Sequence, residues 1–413
     1  MTPLSNLSAP AQLSWTENGI EHHADWRAES GAPPPRRVVP ADDTMTADTA
    51  YRLACEGTAL LWRGDFQNAR QLLQALARRI DRRPGTAKKR AAGANKRVAA
   101  AETRASTTKN GASAPDFPEA FHLHRQARAQ RARTLGMLLI PFEPGHIIPL
   151  RRAPDVAAAC LDVFGQADRP YVASLRELLG LIGARQWREK GVAIAALGER
   201  IHPHYGVYSP VRGEYLDLLA QAPLPGTELA FDIGTGTGVI AALLARRGVR
   251  QIIATDQDPR ALACADENLR RLGMSARVHL EQVDLFPAGR AQLVVCNPPW
   301  VPARATAPIE YAVYDPDSRM LRGFLQGLGQ HLADGGEGWL VLSDLAEHLG
   351  LRDRDELLGW IEAAGLQVAG RLDTRPVHGK ASDADDPLHA ARAREVTSLW
   401  RLRRVTDVSG AHP

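Results

Sequence analysis

The chain has 413 residues, 44% of them hydrophobic and 24% charged, an ordinary globular composition with length enough for two domains. No stretch reaches the roughly 18 consecutive apolar residues of a membrane span, and the N-terminus lacks the basic and apolar segments of a secretory signal, so neither export nor membrane insertion is expected. The formal net charge of +4 hides an asymmetry, because residues 82–110 carry nine Lys or Arg against one Glu, a local +8 that leaves about −4 for the remainder.

Residues 1–48 include Ala32-Pro33-Pro34-Pro35 and show little apolar periodicity, which predicts a flexible tail. From Ala50 to Ile80 the apolar residues Leu53, Leu60, Leu61, Phe66, Leu72, Leu73 and Leu76 recur at helical spacing, predicting two helices broken near Gly64 and Asp65. Residues 82–113 are rich in Ala, Lys, Arg, Thr and Gly and have too little apolar surface to order themselves, so a disordered basic insertion is expected. Its Lys88, Lys89, Arg90, Lys96 and Arg97 are the natural candidates for phosphate contacts, although a solvated linker would have the same composition. Helical patterning resumes over 116–140, with a basic face of Arg125, Arg128, Arg131 and Arg133, and continues around 154–164 and 170–187. A mainly α-helical domain over 49–189 follows, then a β-hairpin linker over 190–210.

Beyond Pro225 the rhythm becomes strand, helix, strand, helix. Strands are predicted at 228–233, 250–255, 277–282, 291–296, 337–343, 366–372 and 395–403, with helices at 238–247, 259–272, 318–333 and 351–365. Alternation of this kind implies an α/β, Rossmann-like fold over 211–405, a seven-stranded parallel sheet covered on both faces, with ligands outside the carboxyl ends of the strands. Residues 406–413 read as a tail. The four cysteines, Cys55, Cys160, Cys264 and Cys296, stand singly in apolar or helical stretches, without a CxxC pair, and read as reduced, buried thiols of a cytoplasmic protein.

The first of these strands runs into Phe231-Asp232-Ile233-Gly234-Thr235-Gly236-Thr237-Gly238. Glycine at such a turn lets backbone amides approach a ligand closely and tolerates positive φ. The second strand ends in Asp256, followed by Gln257, which puts a carboxylate 22 residues after Gly234, where a ribose diol needs an acceptor. Asp284, followed by Leu285 after the third strand, suits an adenine amino group, and would equally cap a turn. A dinucleotide loop needs G-x-G-x-x-G, but position 239 is Val and the third glycine falls one place early at Gly238. The spacing therefore fits S-adenosylmethionine better than NAD.

At the end of the fourth strand stands Asn297-Pro298-Pro299-Trp300. A carboxamide or exocyclic amine has its nitrogen lone pair delocalised, and hydrogen bonds from both NH2 protons to fixed acceptors return electron density to nitrogen. The Asn297 side-chain carbonyl and the Pro298 backbone carbonyl are those acceptors, the prolines hold the loop rigid, and Trp300 is expected to stack on the planar target. Catalysis would then rest on alignment for in-line methyl transfer, with no strong general base. Arg212 and Glu214 would line the mouth of the site or merely form an exposed capping segment. His202, His204 and His378 have no acidic or cysteine partners at ligand spacing, so no metal site is read.

Over residues 190–404 the sequence resembles the class I S-adenosylmethionine-dependent methyltransferases, specifically the small-methyltransferase domain of the HemK-like protein glutamine methyltransferases and several RNA base methyltransferases. The resemblance is carried by Asp232 to Gly238, by Asp256 with Asp258-Pro259-Arg260-Ala261-Leu262, by Asp284-Leu285-Phe286 and by Asn297 to Trp300. It implies an N-methyltransferase in which Asn297 and Pro298 hold a glutamine carboxamide of a translation factor. Trp300 stands where those enzymes usually have tyrosine. A base amine of RNA or DNA presents nearly the same planar NH2, so a nucleic-acid methyltransferase is the alternative acceptor reading. A catalytically silent scaffold that binds S-adenosylmethionine is the alternative of another class. The sequence sets no oligomeric state.

Overall fold

The computed structural model describes residues 11–81, 117–211, 213–305, 308–376 and 386–405. The basic segment 82–113, with Lys88, Lys89, Arg90, Lys96 and Arg97, lies outside them, as do Arg212, His378 and the tail 406–413. The chain divides into two compact units, Met1–Ile182 and Gly183–Pro413. Among the described residues no helix is long and apolar enough to cross a membrane.

The first unit corrects the expectation of a tail followed by a helical domain. Strands β1 (Gln12–Glu17) and β2 (Ile20–Trp26) form an antiparallel hairpin within the supposed tail. Its two-residue turn is Asn18-Gly19, both at positive φ, the pair that matches the twist of a tight hairpin. Then follow β3 (Arg37–Ala41), α1 (Ala47–Cys55), β4 (Thr58–Trp62), α2 (Phe66–Asp81), α3 (Phe117–Gly136), β5 (Leu138–Phe142), α4 (Ala157–Phe164), β6 (Tyr171–Ser174) and α5 (Leu175–Lys190). The six strands form one mixed sheet in the order β1-β2-β6-β5-β4-β3. Every residue of β4, β5 and β6 is buried, so these strands show no period-two alternation and blend into the neighbouring helical patterns. Helix α2 carries its amphipathic stripe as expected, with Phe66, Ala69, Leu72, Leu73 and Leu76 buried.

The second unit opens with the antiparallel hairpin of β7 (Val192–Ile194) and β8 (Glu199–Ile201), then α6 (Glu214–Gln221). Its main sheet contains β9 (Leu229–Ile233), β10 (Gln251–Asp256), β11 (Val278–Gln282), β12 (Ala291–Cys296), β13 (Leu332–Ser343), β14 (Leu366–Thr374) and β15 (Thr397–Arg404). All seven predicted strands are present, in the order β11-β10-β9-β12-β13-β15-β14. The first five are parallel, whereas β15 runs antiparallel to both β13 and β14, so the expectation of an all-parallel sheet fails at that edge.

Helices α7 (Val239–Arg246), α8 (Pro259–Arg271), α9 (Arg319–His331), α10 (Leu345–His348) and α11 (Arg354–Ala363) complete the layers. Alternate strand residues feed two separate cores. Ala230, Leu293, Val295 and Trp339 pack with Leu216, Ile240 and Leu269, while Phe231, Ile233, Val294 and Cys296 pack with Leu321, Phe324, Leu325 and Leu357. That division is what a sheet covered on both faces requires. At the antiparallel edge, fully buried Glu337 is held by Arg401 at 2.7 Å, Arg403 at 2.6 Å and the Trp339 indole N–H at 3.0 Å. Burial pushes its carboxyl up, but the hydrogen bonds from Arg401, Trp339 and Arg403 outweigh this and leave it below the usual range. The cysteines are mixed in exposure: Cys160, Cys264 and Cys296 are buried thiols, whereas Cys55 at the end of α1 is exposed.

Candidate active site

Strands β9 and β12 are parallel neighbours with Cys296 opposite Ile233. Gly234 and Asn297 are therefore the first residues past the carboxyl ends of adjacent strands, whose axes lie roughly 4.8 Å apart. From β9 the chain builds outward through β10 to β11, then returns to place β12 on the other side of β9. The order of the sheet reverses there, and the crevice that such a reversal opens is where α/β sheets bind ligands.

The glycine turn takes its shape from Gly234, Gly236 and Gly238, at φ +71°, +56° and +78°. A Cβ on Gly238 would come within 3.2 Å of the Ala265 backbone, so this glycine sets the close approach of α7 to α8. A Cβ on Gly236 would meet nothing within 4 Å, which leaves that side of the turn open. The Thr235 N–H donates to the Thr255 carbonyl at 2.8 Å, and the Gly238 N–H to the Thr235 carbonyl at 2.9 Å. Thr237 is buried, and its carbonyl accepts from the Asn268 side chain at 3.1 Å.

Asp232 lies fully buried beneath the turn. Its Oδ2 accepts from Thr235 Oγ1 at 2.7 Å and from the Ala241 N–H at 3.1 Å, while Oδ1 is buried without a partner. Burial pushes this carboxyl up to about 7 against the pull of those hydrogen bonds, and the nearby Asp256 adds to the rise. Asp256, at the end of β10, accepts from the Gly236 N–H at 3.1 Å and the Asp258 N–H at 3.0 Å, and burial raises its carboxyl as well. Gln257 is exposed, and its carbonyl accepts from the Gln282 side chain at 3.3 Å. Leu285 sits at φ +71°, its carbonyl tied to Thr255 Oγ1 at 2.6 Å.

An orphaned buried carboxylate oxygen, an open glycine turn and a second carboxylate at the next strand end fit S-adenosylmethionine. Asp232 with the turn would hold its amino-acid end, and Asp256 its ribose. Asp284, the expected adenine contact, is exposed and ion-paired with Arg319.

At the end of β12, Pro298 is buried, and Asn297, Pro299 and Trp300 are half-buried. The Trp300 indole N–H donates to Asn297 Oδ1 at 2.9 Å, and its ring packs against both apolar cores. The ring expected to stack on a target is thus engaged with the protein and with Asn297 itself. Tyr215, on α6, is buried, and the Asn297 side chain lies close enough to its hydroxyl to pull the phenol down against the rise that burial imposes. Burial, with Tyr208 and Asp232 adding to it, holds that phenol well above its ordinary value, so it stays a neutral hydroxyl.

Sequence reasoning missed Tyr215, Arg319, Met320 and Asp315. Met320 lies against Gly234, since a Cβ there would come 2.6 Å from its terminal methyl. Asp315 organises the start of α9 by accepting from the Met320 N–H at 3.0 Å and the Leu321 N–H at 3.1 Å. The only sequence signal near any of these was the segment from Tyr208 to Tyr215, read for Arg212 and Glu214. His202 Nδ1 faces the Arg188 carbonyl at 2.6 Å and His204 pairs with Glu267 at 2.8 Å. Among the described residues no group of His, Cys, Asp and Glu is placed to hold a metal ion.

Residues 201–354 match the family described as the methyltransferase small domain. A release factor glutamine methyltransferase of Cereibacter sphaeroides is 36% identical over 149 residues, 33% of this chain and 51% of that protein. One of Geobacter sulfurreducens is 32% identical over 157 residues, covering 34% and 52%. A ribosomal protein L11 methyltransferase of Pelotomaculum thermopropionicum is 40% identical over 84 residues, covering 20% and 27%. The chain thus spans about half the length of the two release factor relatives. Residues 201–354, with the glycine turn and the Asn297 loop on adjacent strands, are similar to the methyltransferase small domain.

Proposed function

We propose that this protein transfers a methyl group to a planar NH2 nitrogen, and that the acceptor is the side chain of a protein glutamine. The observation that carries the reading is the parallel register of Ile233 with Cys296, which sets the Asn297 loop beside the cofactor turn. Bound S-adenosylmethionine supplies an electrophilic methyl on a sulfonium. Asn297 Oδ1 keeps one lone pair beyond the one that Trp300 engages, and the Pro298 carbonyl offers a second acceptor, so the loop can take both protons of an NH2 group. Pro298 and Pro299 hold those acceptors without reorganisation. Asn297 and Pro298 would hold the acceptor nitrogen facing that methyl, the carbon–sulfur electron pair being left on sulfur when the methyl passes to nitrogen. The proton that the nitrogen then sheds passes to water.

Glutamine is favoured over a nucleic-acid amine because the release factor relatives are named for glutamine and show 36% and 32% identity over 149 and 157 residues. In unit one the arginine face is partly neutralised, with Arg131 paired to Asp81 at 2.9 Å. The test is transfer of labelled methyl from S-adenosylmethionine into a cell extract divided into protein and RNA, with Asn297→Ala as control. Label in protein that acid hydrolysis releases as methylamine is the expected result. Asn297-dependent label confined to RNA would refute the glutamine acceptor while keeping the N-methyl chemistry, and equal label from wild type and Asn297→Ala would refute both.

A further inference from the structure

The hydrogen bond from Trp300 changes what this aromatic can contribute. An indole N–H only donates, so at 2.9 Å it identifies the atom it faces as the Asn297 carbonyl oxygen rather than the amide nitrogen. The same carboxamide also lies by the buried Tyr215 hydroxyl. The indole bond by itself selects one orientation of the Asn297 amide. The indole is itself anchored, since its ring packs against the apolar clusters on both faces of the sheet.

We propose that Trp300 is a positioning residue of the methyl-transfer site, fixing the Asn297 carboxamide through its indole N–H so that the remaining carbonyl lone pair faces the acceptor NH2. This rests on the N-methyltransferase reading above and replaces the stacking role that the sequence suggests for the ring. An sp2 oxygen has two lone pairs in one plane. With the first held by the indole, the direction of the second is set before the acceptor arrives, which is the condition under which orientation accelerates a reaction. An indole suits this role: it carries its donor on the flank of a ring that can stay packed in the core, whereas a phenol has its only donor at the tip.

The test uses the full-length protein with Trp300→Phe, which keeps an aromatic face and deletes the donor. A second variant carries 3-benzothienylalanine at 300, which keeps the bicyclic shape and replaces N–H by sulfur. Both are expected to lower kcat for methyl transfer by roughly tenfold to a hundredfold, the cost of a misoriented group. The acceptor KM and the affinity for S-adenosylhomocysteine should change by no more than a few fold. A raised acceptor KM with kcat retained would show a stacking platform and overturn the proposal. A second readout is independent of turnover: the side-chain amide resonances of Asn297, assigned by its substitution, should shift and lose dispersion in both variants. If these resonances stay where they are in the wild type, the positioning role is refuted even in a protein that methylates nothing. Absent turnover in the wild type, with the resonances moving as expected, would instead remove the functional reading and leave the positioning intact.

Discussion

Asp232 ties the glycine turn to pH. Its carboxyl is pushed up to about 7 by burial, and Oδ1 is buried without a partner in the free protein. An ammonium on the amino-acid end of the cofactor favours the ionised carboxylate, so binding should draw on the ionised fraction of Asp232. With a free-state value of about 7, that fraction is about 0.9 at pH 8, about 0.5 at pH 7 and about 0.09 at pH 6. The ligand's own amine, near 7.8 for an ordinary α-amino group, must also be protonated, and that fraction is about 0.4 at pH 8 and about 1 at pH 6. Affinity for S-adenosylhomocysteine, which carries the same amino-acid end, should therefore peak between about pH 7 and pH 8 and fall about fourfold from pH 8 to pH 6, or about 0.8 kcal/mol. Stability of the free protein follows the opposite sign. A raised carboxyl contributes stability that is present below its unfolded value of 3.8 and is lost as pH rises through about 7. Calorimetry in two buffers of different ionisation enthalpy should read release of about 0.9 proton per ligand at pH 6, and Asp232→Asn should flatten the acid limb. A dissociation constant that is level from pH 6 to pH 8, with no proton released, would refute the reasoning.

Asn297→Ala is expected to reduce methyl transfer by at least about a hundredfold while the dissociation constant for S-adenosylhomocysteine stays within a few fold, and Asp256→Ala to do the reverse; equal loss of both properties in either variant would sink the assigned roles. Gly238→Ala puts a Cβ at φ +78° and 3.2 Å from the Ala265 backbone, and should cost about 1–2 kcal/mol from the left-handed conformation alone, more with the clash, read as a lower midpoint in urea. Glu337→Gln should destabilise by about 3 kcal/mol, the low end for breaking a buried ion pair because Arg403 is half-exposed. Since the Glu337 carboxyl is held low, its stabilisation is present above the usual carboxylate range and lost as pH falls through its folded value, so the difference between wild type and variant should shrink in acid; a constant difference would argue against the ion pair.

The seven-stranded sheet is legible because three of its parallel strands end in punctuation: Gly234 after β9, Asp256 at the end of β10 with Pro259 following, Asn297-Pro298-Pro299 after β12. The reversed last strand was not legible, since nothing in Leu366–Thr374 or Thr397–Arg404 states a direction, and only the connection between them does. In the first unit the strands escaped detection for a physical reason. Leu138–Phe142 and Thr58–Trp62 are buried on both faces, so apolar residues fill every position and the period-two signal disappears. The one local strand signal there, Asn18-Gly19 between Gln12–Glu17 and Ile20–Trp26, sat in a stretch coloured by its prolines and went unread.

The site divides along the same line. Residues that meet a ligand through backbone geometry, such as Gly234 and Gly236, announce themselves by type and spacing. Residues that support these from elsewhere do not, because their neighbour is far away in sequence: Tyr215 lies by Asn297 from α6, and Met320 lies against Gly234 from α9. Trp300 is the instructive case, being adjacent in sequence and still misread. Its type suggests a flat surface for a planar target, but it sits where β12 emerges between two apolar cores, and there its ring is worth more buried than exposed. With the ring packed and half-buried its N–H calls for an acceptor, which the side-chain carbonyl of Asn297 supplies at 2.9 Å. The hydrogen bond to Asn297 thus follows from the ordinary requirement that a packed indole N–H be satisfied, so on the proposed reading core packing and alignment of the acceptor are met by one contact.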